Sequence, residues 1–175
     1  MSCSICGSPA VYHYRHLGLR LCREHFCRIF EERVRETVER FRLLERGDRV
    51  AVPVSGGKAS MTTLYLLNEL AEELGVEVFG LAVDEGIEDY REYKLEALEE
   101  FSREIGVEVY VVKFAEYFGC TLDAIVEKLR EKGLEYKPCT VCGVFRRYLI
   151  NKTARELGAT KVATGHNLDD EVQVF

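Results

Sequence analysis

Ser55-Gly56-Gly57-Lys58-Ala59-Ser60 is the stretch of this chain best equipped for chemistry. It follows an apolar run, Val50-Ala51-Val52-Pro53-Val54, and precedes a helical pattern. Adjacent glycines let a backbone turn tightly and approach an anion. The amides that open the next helix point at that anion, with the positive end of the helix dipole behind them. The segment therefore reads as a phosphate cradle, with an ordinary strand-to-helix glycine turn as the plainer alternative. It is not a Walker A loop, which needs four residues between its first glycine and its Gly-Lys pair.

Cysteine and histidine give the second chemistry. Cys3-x2-Cys6 and Cys22-x2-His25 are two short chelating pairs separated by fifteen residues, the spacing of a tetrahedral Zn²⁺ site. Cys27, His13 and His16 lie close enough in sequence to compete as ligands. A zinc would fold a knuckle too small to bury a core of its own. Arg15, His16, Arg20, Arg23 and Arg28 make the knuckle basic, which suits either RNA phosphate or a solvated surface. A second pair, Pro138-Cys139-Thr140-Val141-Cys142-Gly143, stands at the mouth of a helix that carries Arg146. A helix N-terminus favours thiolates, so Cys139 and Cys142 suit metal binding, redox chemistry or covalent sulfur transfer. Cys120 is a possible third member. Gly165-His166-Asn167-Leu168-Asp169-Asp170-Glu171 opens another helix, and Asp169 or Asp170 could hold Mg²⁺ on phosphates or simply cap that helix.

These groups need positions. Apolar residues at 30, 34, 38, 41 and 44 predict one amphipathic helix over 28–46, closed by Gly47-Asp48. Beyond it, strands are expected at 49–55, 76–84, 107–114 and 161–164, and helices at 59–74, 88–105, 121–132 and about 141–157. Alternation of this kind predicts an α/β fold, a parallel sheet with helices on both faces. Ligands in such sheets bind beyond the carboxyl ends of the strands. The glycine loop, Val83-Asp84-Glu85-Gly86 and Gly165-His166-Asn167 should therefore meet in one crevice. The expected domains are a knuckle at 1–27, a linking helix at 28–46 and a catalytic domain at 47–175. A helix just beginning at Glu171–Phe175 reads as a domain cut short at its C-terminus.

The net charge of −6 argues against bulk attraction to nucleic acid, so any RNA contact must be local. No apolar run approaches the roughly 20 residues that span a bilayer. No signal peptide pattern opens the chain, and a cytoplasmic location with no membrane partner is expected. Charged residues are 31% of the chain against three Asn and one Gln, a bias common in thermophile proteins.

The glycine segment resembles the PP-loop of the ATP pyrophosphatase superfamily, Ser-Gly-Gly-x-Asp-Ser, with Ala59 in place of the aspartate. The ordered set of Cys/His knuckle, PP-loop, Pro-Cys-x-x-Cys-Gly and Gly-His-Asn-Leu-Asp-Asp-Glu resembles the tRNA 2-thiolation enzymes, the tRNA 2-thiouridine and 2-thiocytidine synthetases. The resemblance covers the whole chain but only about the first half of a typical member. It implies the adenine nucleotide alpha hydrolase-like fold. It also implies ATP-dependent adenylation of the 2-oxygen of a tRNA uridine, followed by replacement with sulfur. By the same resemblance Pro53, Ser55, Gly56, Gly57, Lys58, Ser60, Val83, Arg146, Gly165 and Asp170 surround ATP. Lys58, Asp170, Cys139 and Cys142 are then the catalytic set.

Cys139 and Cys142 match two of the three ligands of a 4Fe–4S cluster, whose third cysteine would lie beyond Phe175. The implied partners are tRNA and a sulfur carrier or sulfide donor, and members of the family often form dimers. Loss of the PP-loop carboxylate at Ala59 implies weakened turnover. The alternatives are an amidating PP-loop ATPase, which has no need of Cys139 and Cys142, and a non-catalytic nucleotide- or RNA-binding module.

Overall fold

The computed structural model describes residues 1–87 and 92–173, so the start of the helix expected at 88 lies outside the described residues. The chain divides into two compact units, Met1–Leu44 and Glu45–Phe175, and the helix that follows the knuckle belongs to the first.

In the first unit, β1 (Tyr12–Tyr14) pairs antiparallel with β2 (Leu19–Leu21) across a single 3₁₀ turn. Helix α1 runs from Arg23 to Arg40. It starts five residues before the predicted 28, because Cys22 and His25 of the second chelating pair straddle its first turn. It also stops before the predicted 46. Arg42 turns left-handed at φ 48°, its N–H donates to the Glu39 carbonyl, and the Leu43 N–H donates to Val38. This is a Schellman stop made without glycine.

The second unit is built on four parallel strands in the order β5-β4-β3-β6. These are β3 (Arg49–Pro53), β4 (Glu77–Asp84), β5 (Val109–Lys113) and β6 (Lys161–Val162). Helix α2 (Lys58–Leu74) connects β3 to β4, and α3 (Glu92–Ile105) connects β4 to β5. Three helices, α4 (Phe114–Phe118), α5 (Leu122–Glu131) and α6 (Pro138–Glu156), connect β5 to β6. The last helix, α7, spans Leu168–Val172.

Side chains alternate between the faces of a strand. Ala51, Phe79 and Leu81 point together to one face and pack on Ala154 of α6. Val50, Val52 and Ala82 are equally buried and point to the other face, on the side of α2. Right-handed crossovers place the helices in this way, since the chain steps from β3 toward β5 and then returns to the far side of β3. The expected parallel sheet covered on both faces is thus present. Its switch point lies between β3 and β6, where open α/β sheets form their ligand crevice.

Two local expectations change. The strand predicted over 107–114 ends at Lys113, because Phe114 opens α4 and is fully buried. The helix predicted from 141 begins at Pro138, which occupies its first turn, where a missing N–H costs nothing.

Candidate functional site

The crevice begins where β3 ends. Pro53 is half-buried, and the Val54 N–H still donates to the Leu81 carbonyl at 2.9 Å. Gly56 takes a φ of +76°, and a Cβ there would lie 3.0 Å from the Lys94 carbonyl oxygen. Only glycine fits such a turn without strain. Ser60 is buried inside the loop. Its Oγ accepts the Ser55 N–H (3.2 Å) and donates to the Gly57 carbonyl (3.0 Å). Ser60 therefore clamps the loop shut in its turned shape. Gly57 is the N-cap of α2, no side chain caps that helix, and its first turn holds no acid. Lys58 is exposed at the first helical position. The open amides, the exposed cation and the positive dipole end make a cradle for phosphate.

The Gly165 loop closes one side. A Cβ on Gly165 would fall 2.9 Å from both the carbonyl carbon and the oxygen of Ala59, and 3.0 Å from the Ser60 Cα. The loop after β6 thus lies directly on the start of α2, as the switch-point argument requires. Beyond it, the Asn167 N–H donates to Asp170 Oδ2 (2.9 Å) and the Asp170 N–H donates to Asn167 Oδ1 (3.1 Å). That reciprocal pair is a capping box for α7. Asp170 therefore has a capping role in this structure, whatever else it does. Ala59 is exposed, and its carbonyl accepts the Thr63 hydroxyl at 2.9 Å.

Behind the cradle, Val83 is buried at the end of β4. Asp84 Oδ1 accepts the Gly86 N–H at 2.9 Å, closing a tight turn around Glu85. Glu85 is only 1% exposed, and Arg146 Nη1 lies 3.6 Å from its Oε1. Cys139, Cys142 and Arg146 fall at i, i+3 and i+7 on one stripe of α6. Cys139 is exposed, Cys142 is half-buried, and Leu149 one turn on is fully buried. Cys120 Sγ donates to the Phe118 carbonyl at 3.6 Å. Among the described residues, no third Cys, His or acidic side chain converges with Cys139 and Cys142. Two thiols by themselves make no complete ligand set for an iron–sulfur cluster.

The first unit holds the other centre. Ligand atoms of Cys3, Cys6, Cys22 and His25 all lie within 4.8 Å of one another. Cys6 and Cys22 sulfurs are 3.8 Å apart, and His25 Nδ1 is 3.2 Å from Cys22 Sγ and 3.8 Å from Cys3 Sγ. A tetrahedron with metal–sulfur bonds of about 2.3 Å has edges of about 3.8 Å, so the set fits a closed four-coordinate ion. A disulfide needs about 2.05 Å and is not formed. Burial opposes the Cys3 thiolate, but backbone N–H groups at Cys6, Cys22 and Ile5 outweigh it and bring the thiol down to about 6. The His25 N–H favours the Cys22 thiolate, yet burial and the neighbouring Cys3 and Cys6 sulfurs push that thiol up. A cation relieves such mutual repulsion. His13, His16 and Cys27 are exposed and stand outside the quartet.

Strand-end reasoning expected the glycine loop, Val83-Asp84-Glu85-Gly86 and Gly165 in one crevice, and the resemblance put Arg146 there. Neither gave Glu85 a role of its own, since the only local signal is an acid at the end of an apolar strand.

Residues 27–175 match the profile of the PP-loop domain. Residues 2–27 match that of the 2-thiouridine synthetase TtuA N-terminal LIM domain. The tRNA-5-methyluridine(54) 2-sulfurtransferase of Thermus thermophilus is 40% identical over 175 residues, which is all of this chain and 52% of that protein. The tRNA 2-thiolation protein NcsA of Haloferax volcanii is 37% identical over 180 residues, 99% of this chain and 55% of that protein. Among solved structures, the U34-tRNA thiolase NcsA from Methanococcus maripaludis with its 4Fe–4S cluster superposes with a TM-score of 0.85 at 38% identity. That match covers 99% of this chain and 56% of the other. An NH3-dependent NAD synthetase from Campylobacter jejuni shares the fold alone, with a TM-score of 0.54 at 17% identity over 87% of this chain and 58% of that one. The chain spans about half the length of the curated relatives it matches.

Proposed function

Because the chain belongs to the PP-loop family, whose domain covers residues 27–175, we propose that it carries the nucleotide half of an ATP-dependent tRNA 2-thiolation reaction. The observation that carries this reading is the close packing of Gly165 on the start of α2, where a Cβ at that position would fall 2.9 Å from the Ala59 carbonyl. It joins a phosphate cradle to a loop from β6 in one crevice, beside a helix stripe that bears two thiols and an arginine.

The uridine 2-oxygen attacks the α-phosphorus of ATP. An O–P bond forms, the bond to the β-phosphate oxygen breaks, and pyrophosphate leaves as the base gives up its N3 proton. Hydrosulfide sulfur then adds at C2, AMP departs with the former 2-oxygen, and N3 regains a proton. In this reading Ser55, Gly56, Gly57, Lys58 and Ser60 cradle the phosphates. Pro53, Val83 and Gly165 line the nucleotide with backbone. Arg146 contributes positive charge, and Asp170 binds Mg²⁺ on the phosphates. Cys139 and Cys142 would hold two corners of an iron–sulfur cluster, with further ligand supplied from outside these residues. Such a cluster would supply a place for incoming sulfide to bind.

Cys3, Cys6, Cys22 and His25 hold a structural zinc in the same reading. A sulfur carrier or sulfide source and a second copy of the chain complete the partners. Relatives named cytoplasmic tRNA 2-thiolation protein 1, such as that of Caenorhabditis elegans at 39% identity, support a cytoplasmic location. No described helix is long and apolar enough to cross a membrane.

Ala59 favours a second reading, in which nucleotide and tRNA bind with little turnover. Mass spectrometry of tRNA nucleosides after incubation with ATP and sulfide tests both. Thiolated uridine is expected at a low level, rising in Ala59→Asp. No thiolation in either protein despite tight ATP binding favours the binding module, and thiolation that does not need ATP overturns the adenylation step.

A further inference from the structure

Glu85 stands directly after β4 with its side chain almost wholly out of water. Carboxylates are rarely buried without a charged or donor partner, since desolvation of the ion is costly. Its backbone is held from both sides. The Glu85 carbonyl accepts the Leu122 N–H at 2.9 Å, at the start of α5. Gly86 fits so tightly that a Cβ would lie 2.7 Å from Thr121 Cγ2. The Asp84 carboxylate closes the turn. This carboxylate is therefore a fixed anion on rigid backbone.

Arg146 is a different kind of partner. Its side chain is 45% exposed, and its Nη1 stands 3.6 Å from the Glu85 carboxylate. That separation makes an ion pair and is too long for a direct hydrogen bond. An arginine side chain has a large rotamer freedom to lose when it is held. A fixed anion beneath it restricts that freedom in advance. One guanidinium presents five N–H donors, so facing Glu85 along one edge leaves donors for a second anion.

We propose that Glu85 is the positioning residue for Arg146, holding the guanidinium in the crevice where it meets the phosphates of ATP. The proposal rests on the nucleotide reading above. Glu85 touches no substrate in it and acts through Arg146. Because Arg146 lies one turn from Cys142 on the same stripe of α6, the pair also fixes how that helix end faces the crevice.

The test is a binding cycle by calorimetry, with ATP and with adenosine, on the wild-type chain, Glu85→Gln, Arg146→Gln and the double variant. Glu85→Gln should weaken ATP about tenfold, the scale of one charge-assisted contact. It should leave adenosine within about twofold, because only the phosphates meet Arg146. The double variant should bind ATP no more weakly than Arg146→Gln alone, as expected when one residue acts through the other. Equal ATP affinity in Glu85→Gln and wild type overturns the role of Glu85. So do losses that multiply in the double variant, or parallel losses for ATP and adenosine, which mark a general structural defect. If Glu85→Gln does not fold, Glu85→Asp and its double with Arg146→Gln complete the same cycle. A wild-type chain that binds neither ligand removes the nucleotide reading itself, and this role with it.

Discussion

The two units of this chain hold themselves together by different means. Residues buried in Met1–Leu44 are Cys3, Leu21, Cys22, His25 and Val38, and three of these five belong to the metal quartet. In Glu45–Phe175 the buried set is an apolar sandwich around the sheet, including Val50, Val52, Leu64, Phe79, Leu81 and Leu149. A unit of 44 residues has too little apolar surface to offset chain entropy, whereas 131 residues suffice. The charge divides as well. Residues 1–44 carry eight Lys and Arg against five Asp and Glu, while residues 45–175 carry 16 against 25. The acidic net charge thus belongs to the sheet unit, and the small unit is net positive. In the proposed reading ligation chemistry holds one unit and apolar packing holds the other, so each should fail separately.

The largest effect should come from removing the metal. Apparent zinc affinities of structural sites are about 10–16 kcal/mol at neutral pH, and that binding energy is folding energy. A strong chelator, or Cys22→Ser, should open residues 1–44 to limited proteolysis while residues 45–175 stay resistant. Unchanged cleavage of the first unit would erase the contrast. Next comes the sheet core. Leu81 is fully buried, and Leu81→Ala should cost about 2–5 kcal/mol in denaturant unfolding. Metal content should stay at its wild-type value, and loss of metal in this variant would tie the two units together. Smaller again is Gly165→Ala. Its new Cβ must displace Ala59 backbone, at about 1–3 kcal/mol of overpacking strain. ATP affinity should fall about tenfold with little change in the proteolytic pattern.

What could be read in the sequence was chemistry that is local in the chain. Glycines after an apolar strand fixed the β3–α2 boundary to within two residues, because turn geometry dictates those residue types. Chelating pairs gave the quartet, because ligand spacing depends on a few bonds. The end of α1 carried no such mark, since Arg42 makes the left-handed turn that glycine usually makes. The start of α6 did carry one, Pro138, and a period count that began at Val141 overlooked it. Helix α4 is a five-residue turn that buries Phe114, too short for periodicity to register. The role of Glu85 was illegible for another reason. Its burial and its pairing with Arg146 join residues far apart in sequence, and only the folded sheet brings them together.

The smallest effect tests the polar edge of the sheet unit. Asp48 precedes β3 and stitches it to β6. Its carboxylate accepts the Glu45 N–H (2.8 Å) and the Thr160 hydroxyl (2.7 Å), and it pairs with Lys161 Nζ at 3.1 Å. The Glu45 N–H first, then Thr160 and Lys161, hold this carboxyl below its ordinary value of 3.8. A carboxyl depressed by folding contributes stability that is fully present above its unfolded value and is lost as pH falls through the folded one. Asp48→Asn should therefore lower the melting temperature of the sheet unit at pH 6. The gap between variant and wild type should shrink by pH 3, which is below the unfolded value of 3.8, where this contribution starts to be lost. A gap of equal size at both pH values would show that shape rather than charge holds this corner. Metal content at pH 6 should match wild type, because the contacts broken all lie within residues 45–175.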